Sequence, residues 1–168
     1  MEEQNNGRKE LELYFHIPFC VRKCDYCDFL SAPGDAKTKK RYMEALLAET
    51  VGSASRYEAY RVTSIFIGGG TPSVVPPAGI AELMAAVREQ YDLVEDAEVT
   101  IEVNPGTVTR AGLVCYREAG INRISMGLQS GDDRELAAIG RIHTWQQFQE
   151  SFLTAREAGF DNINVDIM

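Results

Sequence analysis

The segment FHIPFCVRKCDYCDF, Phe15 to Phe29, places Cys20, Cys24 and Cys27 within eight residues at the spacing C-x-x-x-C-x-x-C. A structural zinc ion takes four protein ligands, and an all-cysteinyl iron-sulfur cluster takes four thiolates. Three thiolates on one loop can instead hold three corners of a cubane and leave its fourth iron open to a chelating amino acid. A zinc site would need His16 or His143 as its fourth ligand, and the spacing lacks the paired C-x-x-C knuckles of most zinc sites. The remaining cysteine, Cys115, lies far away in a helical pattern and reads as a core thiol of that helix. Disulfide frameworks spread their cysteines to staple distant segments, so reduced thiols and a metal are expected.

Other residues suited to chemistry are scattered along the chain. Gly68-Gly69-Gly70-Thr71-Pro72 allows close backbone approach, but has neither the lysine nor the spacing of a phosphate loop. A plain turn reads the same way. Glu102 and Asp166 can accept hydrogen bonds from hydroxyls or an ammonium, and Gln129 can donate as well as accept. Arg141 could pair with a carboxylate and merely shape the mouth of a site. Tyr26, just before the last clustered cysteine, could be a contact or a loop anchor. Trp145 reads as a first-turn helix residue.

These residues need elements to position them. Leu11, Leu13, Phe15 and Ile17 alternate with polar residues and predict a strand that runs into the cysteine loop. After Pro33-Gly34-Asp35, the helical spacing of Tyr42, Leu46, Leu47, Thr50 and Val51 predicts a helix. Val62 to Ile67 reads as a second strand, and Ile80, Leu83, Met84 and Val87 as a second helix. A third strand is expected over Val99–Val103 and a fourth over Ile121–Gly127. Between them, Thr109 is the expected N-cap, with Val108 and Leu113 in staple positions and Gly120 as the stop. Thr144 and Gln147 form a capping-box pattern for another helix that ends at Gly159, and Asn162–Ile167 completes five strands.

Strands alternating with helices predict an α/β fold with a parallel sheet and outer helices. An open doubly wound sheet is the alternative. A barrel is favoured because the cysteine loop, the glycines, Glu102, Gln129 and Asp166 fall at or just after strand C-termini, the face where barrel sites are built. Five strands do not close a barrel of eight. The expectation is therefore a tail over 1–10 and the N-terminal part of a core domain over 11–168, whose C-terminal part is missing. The last strand would then have an open edge, and apolar interior residues would be left wet.

Composition narrows the partners. Lysine and arginine total 17 against 25 acidic residues, a net charge of -8, so no broad basic surface is available for a nucleic-acid backbone. The start MEEQNNGRKE has no apolar leader region, and glycines and prolines interrupt the apolar stretch from Ile65 to Val87. These features predict a cytoplasmic protein.

Taken together, the cysteine motif and GGGTP resemble the radical S-adenosylmethionine family. Tyr14 to Cys20, Gly68 to Pro72, Ser125-Met126-Gly127-Leu128-Gln129-Ser130 and Gly140-Arg141-Ile142-His143 narrow the resemblance to the oxygen-independent coproporphyrinogen III oxidase group, from residue 11 onward. The resemblance implies a partial (β/α) TIM-type barrel carrying a 4Fe-4S cluster on Cys20, Cys24 and Cys27. It also implies S-adenosylmethionine, whose reductive cleavage gives a 5'-deoxyadenosyl radical. It assigns cofactor contacts to Tyr14, Tyr26, Gly70, Thr71, Glu102, Gln129, Arg141 and Asp166. Two branches of the group differ just after the loop. The coproporphyrinogen III dehydrogenases have a further cysteine two residues after the third ligand, where this chain has Phe29, and a longer N-terminal extension. Phe29 resembles the heme chaperone branch, which implies heme or a porphyrin as ligand, a heme-acceptor protein, and an electron donor such as flavodoxin or ferredoxin.

Overall fold

In a computed structural model the described residues are 8–168. Residues 1–7 of the expected tail lie outside them. Five strands form one parallel sheet in sequential order: β1 (Lys9–Ile17), β2 (Tyr60–Gly69), β3 (Leu93–Val103), β4 (Arg123–Gln129) and β5 (Asn162–Ile167). Sequential order means that every crossover runs the same way, which decides for a barrel-type sheet. A doubly wound sheet reverses its order at a switch point. Lys9 and Glu10, expected in the tail, are the first residues of β1.

The helices α1 (Ala36–Ser53), α2 (Pro77–Gln90), α3 (Arg110–Glu118), α4 (Asp133–Ala138) and α5 (Trp145–Glu157) fill the crossovers. Their ends follow local chemistry. Asp35, Thr109 and Thr144 accept from the backbone N–H groups of Thr38, Gly112 and Gln147, and the Thr144–Gln147 capping box is complete. Gly120 and Gly159 stop α3 and α5 at φ 82° and 91°, where a side chain would be strained. The short α4, capped by Asp132, carries too few apolar residues to be visible as a period. In α1 Thr50 is buried as expected, together with Met43, whereas Val51 is exposed. Cys115 is half-buried, and the core position of α3 belongs to Tyr116.

Strand alternation divides the sheet. Phe15, Ile17, Val62, Ile65, Ile67, Val99, Ile101, Ile124 and Met126 are buried in the main core with Ile80, Leu83, Met84, Leu113 and Phe160. Val62, Ile65 and Ile67 share a face despite their uneven spacing because the register slips between Val62 and Ser64, making Thr63 a bulge. The other, concave face carries Glu12, Tyr14, His16, Phe66, Thr100, Glu102, Arg123, Ser125, Asn164 and Asp166. This corrects the expectation of a wet apolar interior: the concave face is mainly polar.

Candidate active site

The site is assembled at the C-terminal edge of the sheet. The cysteine loop, residues 18–35, has little regular structure, so its shape depends on ties to its neighbours. Cys20 N–H donates to Ala32 O at 3.2 Å and Ala32 N–H to Pro18 O at 3.0 Å, which closes the loop on itself. Asp25 N–H donates to Ile139 O at 3.1 Å, docking the loop on the end of α4. Gly70 and Thr71 donate their N–H groups to Ile17 O and Phe19 O at 2.9 and 2.7 Å. A Cβ on Gly70 would stand 2.6 Å from Phe19 O, so glycine is what permits the GGGTP run and the loop to touch.

A cavity of about 500 Å³ opens between the loop and the strand ends. Cys20, Cys24 and Cys27 line it, as do Tyr26, Gly70, Thr71, Glu102, Gln129, Arg141 and Asp166. Ten of the eleven residues singled out in the sequence thus meet at one cavity. Tyr14 is not among the lining residues. It is 58% exposed, stacks on Phe66 with ring centroids 6.1 Å apart, and thereby supports a side chain that does line the cavity. Phe29 lines the cavity and is 68% exposed.

Each polar group has identifiable neighbours. Gly69 N–H donates to Glu102 Oε2 at 2.9 Å. With the Gly70 and Thr71 donors also engaged, the glycine run presents no free N–H nest for an anion. What it can present is carbonyl oxygen, which suits an ammonium. Burial raises the Glu102 pKa, with the nearby Asp166 charge adding to the effect, while the Gly69 N–H and His16 oppose it. Asp166 accepts from Ser125 Oγ at 2.9 Å and from Asn164 Nδ2 at 2.7 Å, so its carboxylate is braced at the sheet edge.

Arg141 donates through Nη2 to Asn104 Oδ1 at 2.9 Å and to Gly127 O at 2.5 Å, and through Nη1 to Cys24 Sγ at 3.7 Å. Its Nε is buried without a hydrogen-bond partner. The alternative reading of Arg141, an internal ion pair with a carboxylate, is not what forms: among the described residues its partners are an amide, a carbonyl and a thiol. Tyr26 lies between Arg141 and Cys24; burial raises the pKa of its phenol, while the guanidinium pulls it down. Gln129 ends β4 at φ 73°, beyond a register slip that makes Leu128 a bulge. A non-glycine residue in that region is uncommon, and here it is the strand-end residue that lines the cavity.

The strand parity missed in the sequence would have found more. Ser125 and Arg123, two and four residues before Gly127, share its face, and Asn164, two residues before Asp166, shares that of Asp166. Asn104 lies two residues past Glu102 for the same reason. All four line the cavity.

Both histidines that could complete a zinc site are engaged elsewhere. His16 Nε2 is 2.9 Å from Leu30 O and Nδ1 is 3.2 Å from Tyr14 Oη. His143 is buried, and its Nε2 lies 3.2 Å from Leu128 O, an acceptor, so that nitrogen carries the proton. Among the described residues no three His, Cys, Asp or Glu side chains are gathered around a point that could hold one metal ion. A single zinc needs its sulfurs within about 2.3 Å of one centre, whereas a cubane takes each thiolate at a separate corner. Three cysteines lining one cavity, none of them gathered with two other such ligands around a single point, suit the cubane.

The family model described as the radical SAM superfamily matches residues 14–168. The chain belongs to this family. The chain superposes on coproporphyrinogen III oxidase (HemN) from Escherichia coli with a TM-score of 0.87 and 31% identity, covering 98% of this chain and 38% of that one. The heme chaperone HemW of Escherichia coli (strain K12) is 41% identical over 159 residues, 94% of this radical SAM chain and 42% of the relative. A zebrafish relative, Danio rerio radical S-adenosyl methionine domain-containing protein 1, mitochondrial, is 36% identical over 159 residues, or 95% and 36% of the two chains. The chain therefore spans about two fifths of the length of the curated relatives it matches. No helix among the described residues is long and apolar enough to cross a membrane.

Proposed function

We propose that this chain carries a 4Fe-4S cluster on Cys20, Cys24 and Cys27, binds S-adenosylmethionine beside it, and serves a protein that binds heme and delivers it to an acceptor. The observation that carries the cofactor reading is the meeting of all three loop cysteines with Gly70, Thr71, Glu102, Gln129, Arg141 and Asp166 around one cavity. The chemistry such a cluster supplies when bound is one-electron reductive cleavage of a sulfonium, with the electron from a carrier such as flavodoxin or ferredoxin. The protein's own residues bind and orient. The glycine run, its N–H groups engaged, offers acceptors to the methionine ammonium. The Arg141 guanidinium, at the cavity, offers positive charge to its carboxylate, and Asp166 and Glu102 offer acceptors to ribose hydroxyls. Tyr26 supplies an aromatic surface for the adenine.

The heme part rests on the HemW relatives and on Phe29. At the position where the resembling dehydrogenases have another cysteine, this chain exposes an apolar ring to the cavity mouth. We therefore favour heme delivery over decarboxylation of coproporphyrinogen III.

Anaerobic reconstitution tests the cofactor reading. A brown protein whose visible absorption bleaches with dithionite is expected, and Ala at Cys20, Cys24 or Cys27 should abolish it. Cys115→Ala should leave the iron content unchanged; equal loss there would overturn the ligand set. Heme titration and an assay for protoporphyrinogen then separate the two branches, because many turnovers of coproporphyrinogen III would contradict the chaperone reading.

A further inference from the structure

Two of the three cysteines are joined by a continuous chain of hydrogen bonds, and its middle member is a residue with no assigned role. Thr71 Oγ1 donates to Cys20 Sγ at 3.6 Å, Asn104 Nδ2 donates to Thr71 Oγ1 at 2.8 Å, and Arg141 reaches both Asn104 Oδ1 and Cys24 Sγ. The direction of every bond is dictated by chemistry. A guanidinium only donates, so the Asn104 oxygen must face Arg141 and its NH2 group must face Thr71. The Thr71 oxygen is thereby an acceptor, and its single proton is left for the Cys20 sulfur.

Asn104 is itself held firmly. Its carbonyl accepts from Thr107 N at 3.1 Å and from Thr107 Oγ1 at 2.6 Å, and the following Pro105 restricts its backbone. A Cβ at Gly127 would lie 3.1 Å from Asn104 Oδ1 and 3.2 Å from Arg141 Nη2, so the pair meets where β4 has no side chain.

We propose that Asn104 is the positioning residue of the cluster loop: one amide that sets the Cys20 and Cys24 sulfurs relative to each other and directs a hydrogen bond onto each. This inference rests on the cluster reading above. Hydrogen bonds to cluster sulfurs help set the reduction potential, and outer partners of metal ligands matter to affinity by about 10- to 100-fold. Asn104 acts on the sulfurs only through Thr71 and Arg141, so two substitutions separate its halves. Asn104→Ala breaks both. Asn104→Asp keeps an acceptor for Arg141 but has no N–H, and its carboxylate takes the Thr71 proton away from Cys20. Thr71→Val removes the Cys20 bond from the other side.

The test uses the anaerobically reconstituted chain, with circular dichroism as the folding check. Iron and sulfide content, the rate of iron release to a chelator, the electron paramagnetic resonance spectrum and the midpoint potential are read for each variant. Asn104→Ala should release iron about 10-fold faster or more than the wild type. Asn104→Asp should assemble the cluster with a more negative potential and an altered spectrum, because a hydrogen bond to sulfur is lost and a charge is gained. Thr71→Val should shift the potential in the same direction. A wild type that takes up no cluster sinks the cofactor reading itself. A wild-type cluster matched in release rate, spectrum and potential by both Asn104 variants sinks only the assignment of Asn104.

Discussion

The two faces of the sheet are made by alternate residues of the same five strands, and they do opposite jobs. Ile65, Ile67, Ile101, Ile124 and Met126 on the convex face are at most 1% exposed and pack under the helices. On the concave face Glu102, Ser125, Asn164 and Asp166 are linked to neighbouring polar groups and line a cavity. The apolar face contributes the burial that folds the chain, and the polar face spends part of that stability on holding groups ready for a ligand. Because side chains alternate with a period of two, a slip of one residue would exchange the faces. The bulges at Thr63 and Leu128 show how closely the register is managed where the sequence departs from strict alternation.

Substitutions that separate the faces test this division. Ile101→Ala, in the middle of the convex face, should cost about 2 to 5 kcal/mol of unfolding free energy through lost burial and a residual cavity. Urea unfolding measures it, and a loss below about 1 kcal/mol would mean that the convex face is not the core.

Behind the site, burial lowers the pKa of His143 from 6.5 to about 4, with the Arg141 charge adding to the effect. The unfolded chain therefore takes up this proton before the folded one does. The His143 contribution is complete above about pH 6.5, declines as the pH falls toward 4, and costs up to about 3 kcal/mol by then. Stability measured against pH should show this slope, and His143→Gln should flatten it; an unchanged profile would contradict the assignment.

Gly70→Ala places a methyl against the Phe19 carbonyl, for which displacement of the loop or strain of about 1 to 3 kcal/mol is expected. Cluster assembly should suffer more than the melting temperature. If the variant reconstitutes with normal iron and a normal melt, the close approach of the two backbones is not needed.

The smallest stability effect is expected on the concave face. Glu102→Gln can keep an acceptor for Gly69 N–H while removing a buried charge whose pKa is raised, so stability at pH 7 should change by less than about 1 kcal/mol, or rise. Affinity of the reconstituted protein for S-adenosylmethionine should nevertheless fall, as isothermal titration would show. A large loss of stability with unchanged affinity would reverse the contrast between the faces.

Much of this was legible in local patterns. The cysteine spacing, the caps at Thr109 and Thr144, the stops at Gly120 and Gly159, and the alternation of β1 depend on residues a few positions apart, where backbone geometry imposes fixed periods. α4 was invisible because six residues with one buried leucine carry no period. Cys115 read as core because both it and Tyr116 fit a helical stripe, and only the packing of α3 decided which of them turns inward.

The sequence by itself determined the types of donor, the parallel α/β class and the strand ends on which most of the donors fall, since composition, spacing and alternation are local properties. Only the tertiary structure decided which donors meet. Arg141 and Cys24 are 117 positions apart and Asn104 and Thr71 are 33 apart, yet each pair is in contact. Their meeting depends on sequential strand order, on the register of β3 against β4, and on a glycine at position 127 that leaves room between them. Such long-range encounters follow from the packing of the whole sheet and leave no period in the chain for a reader to find.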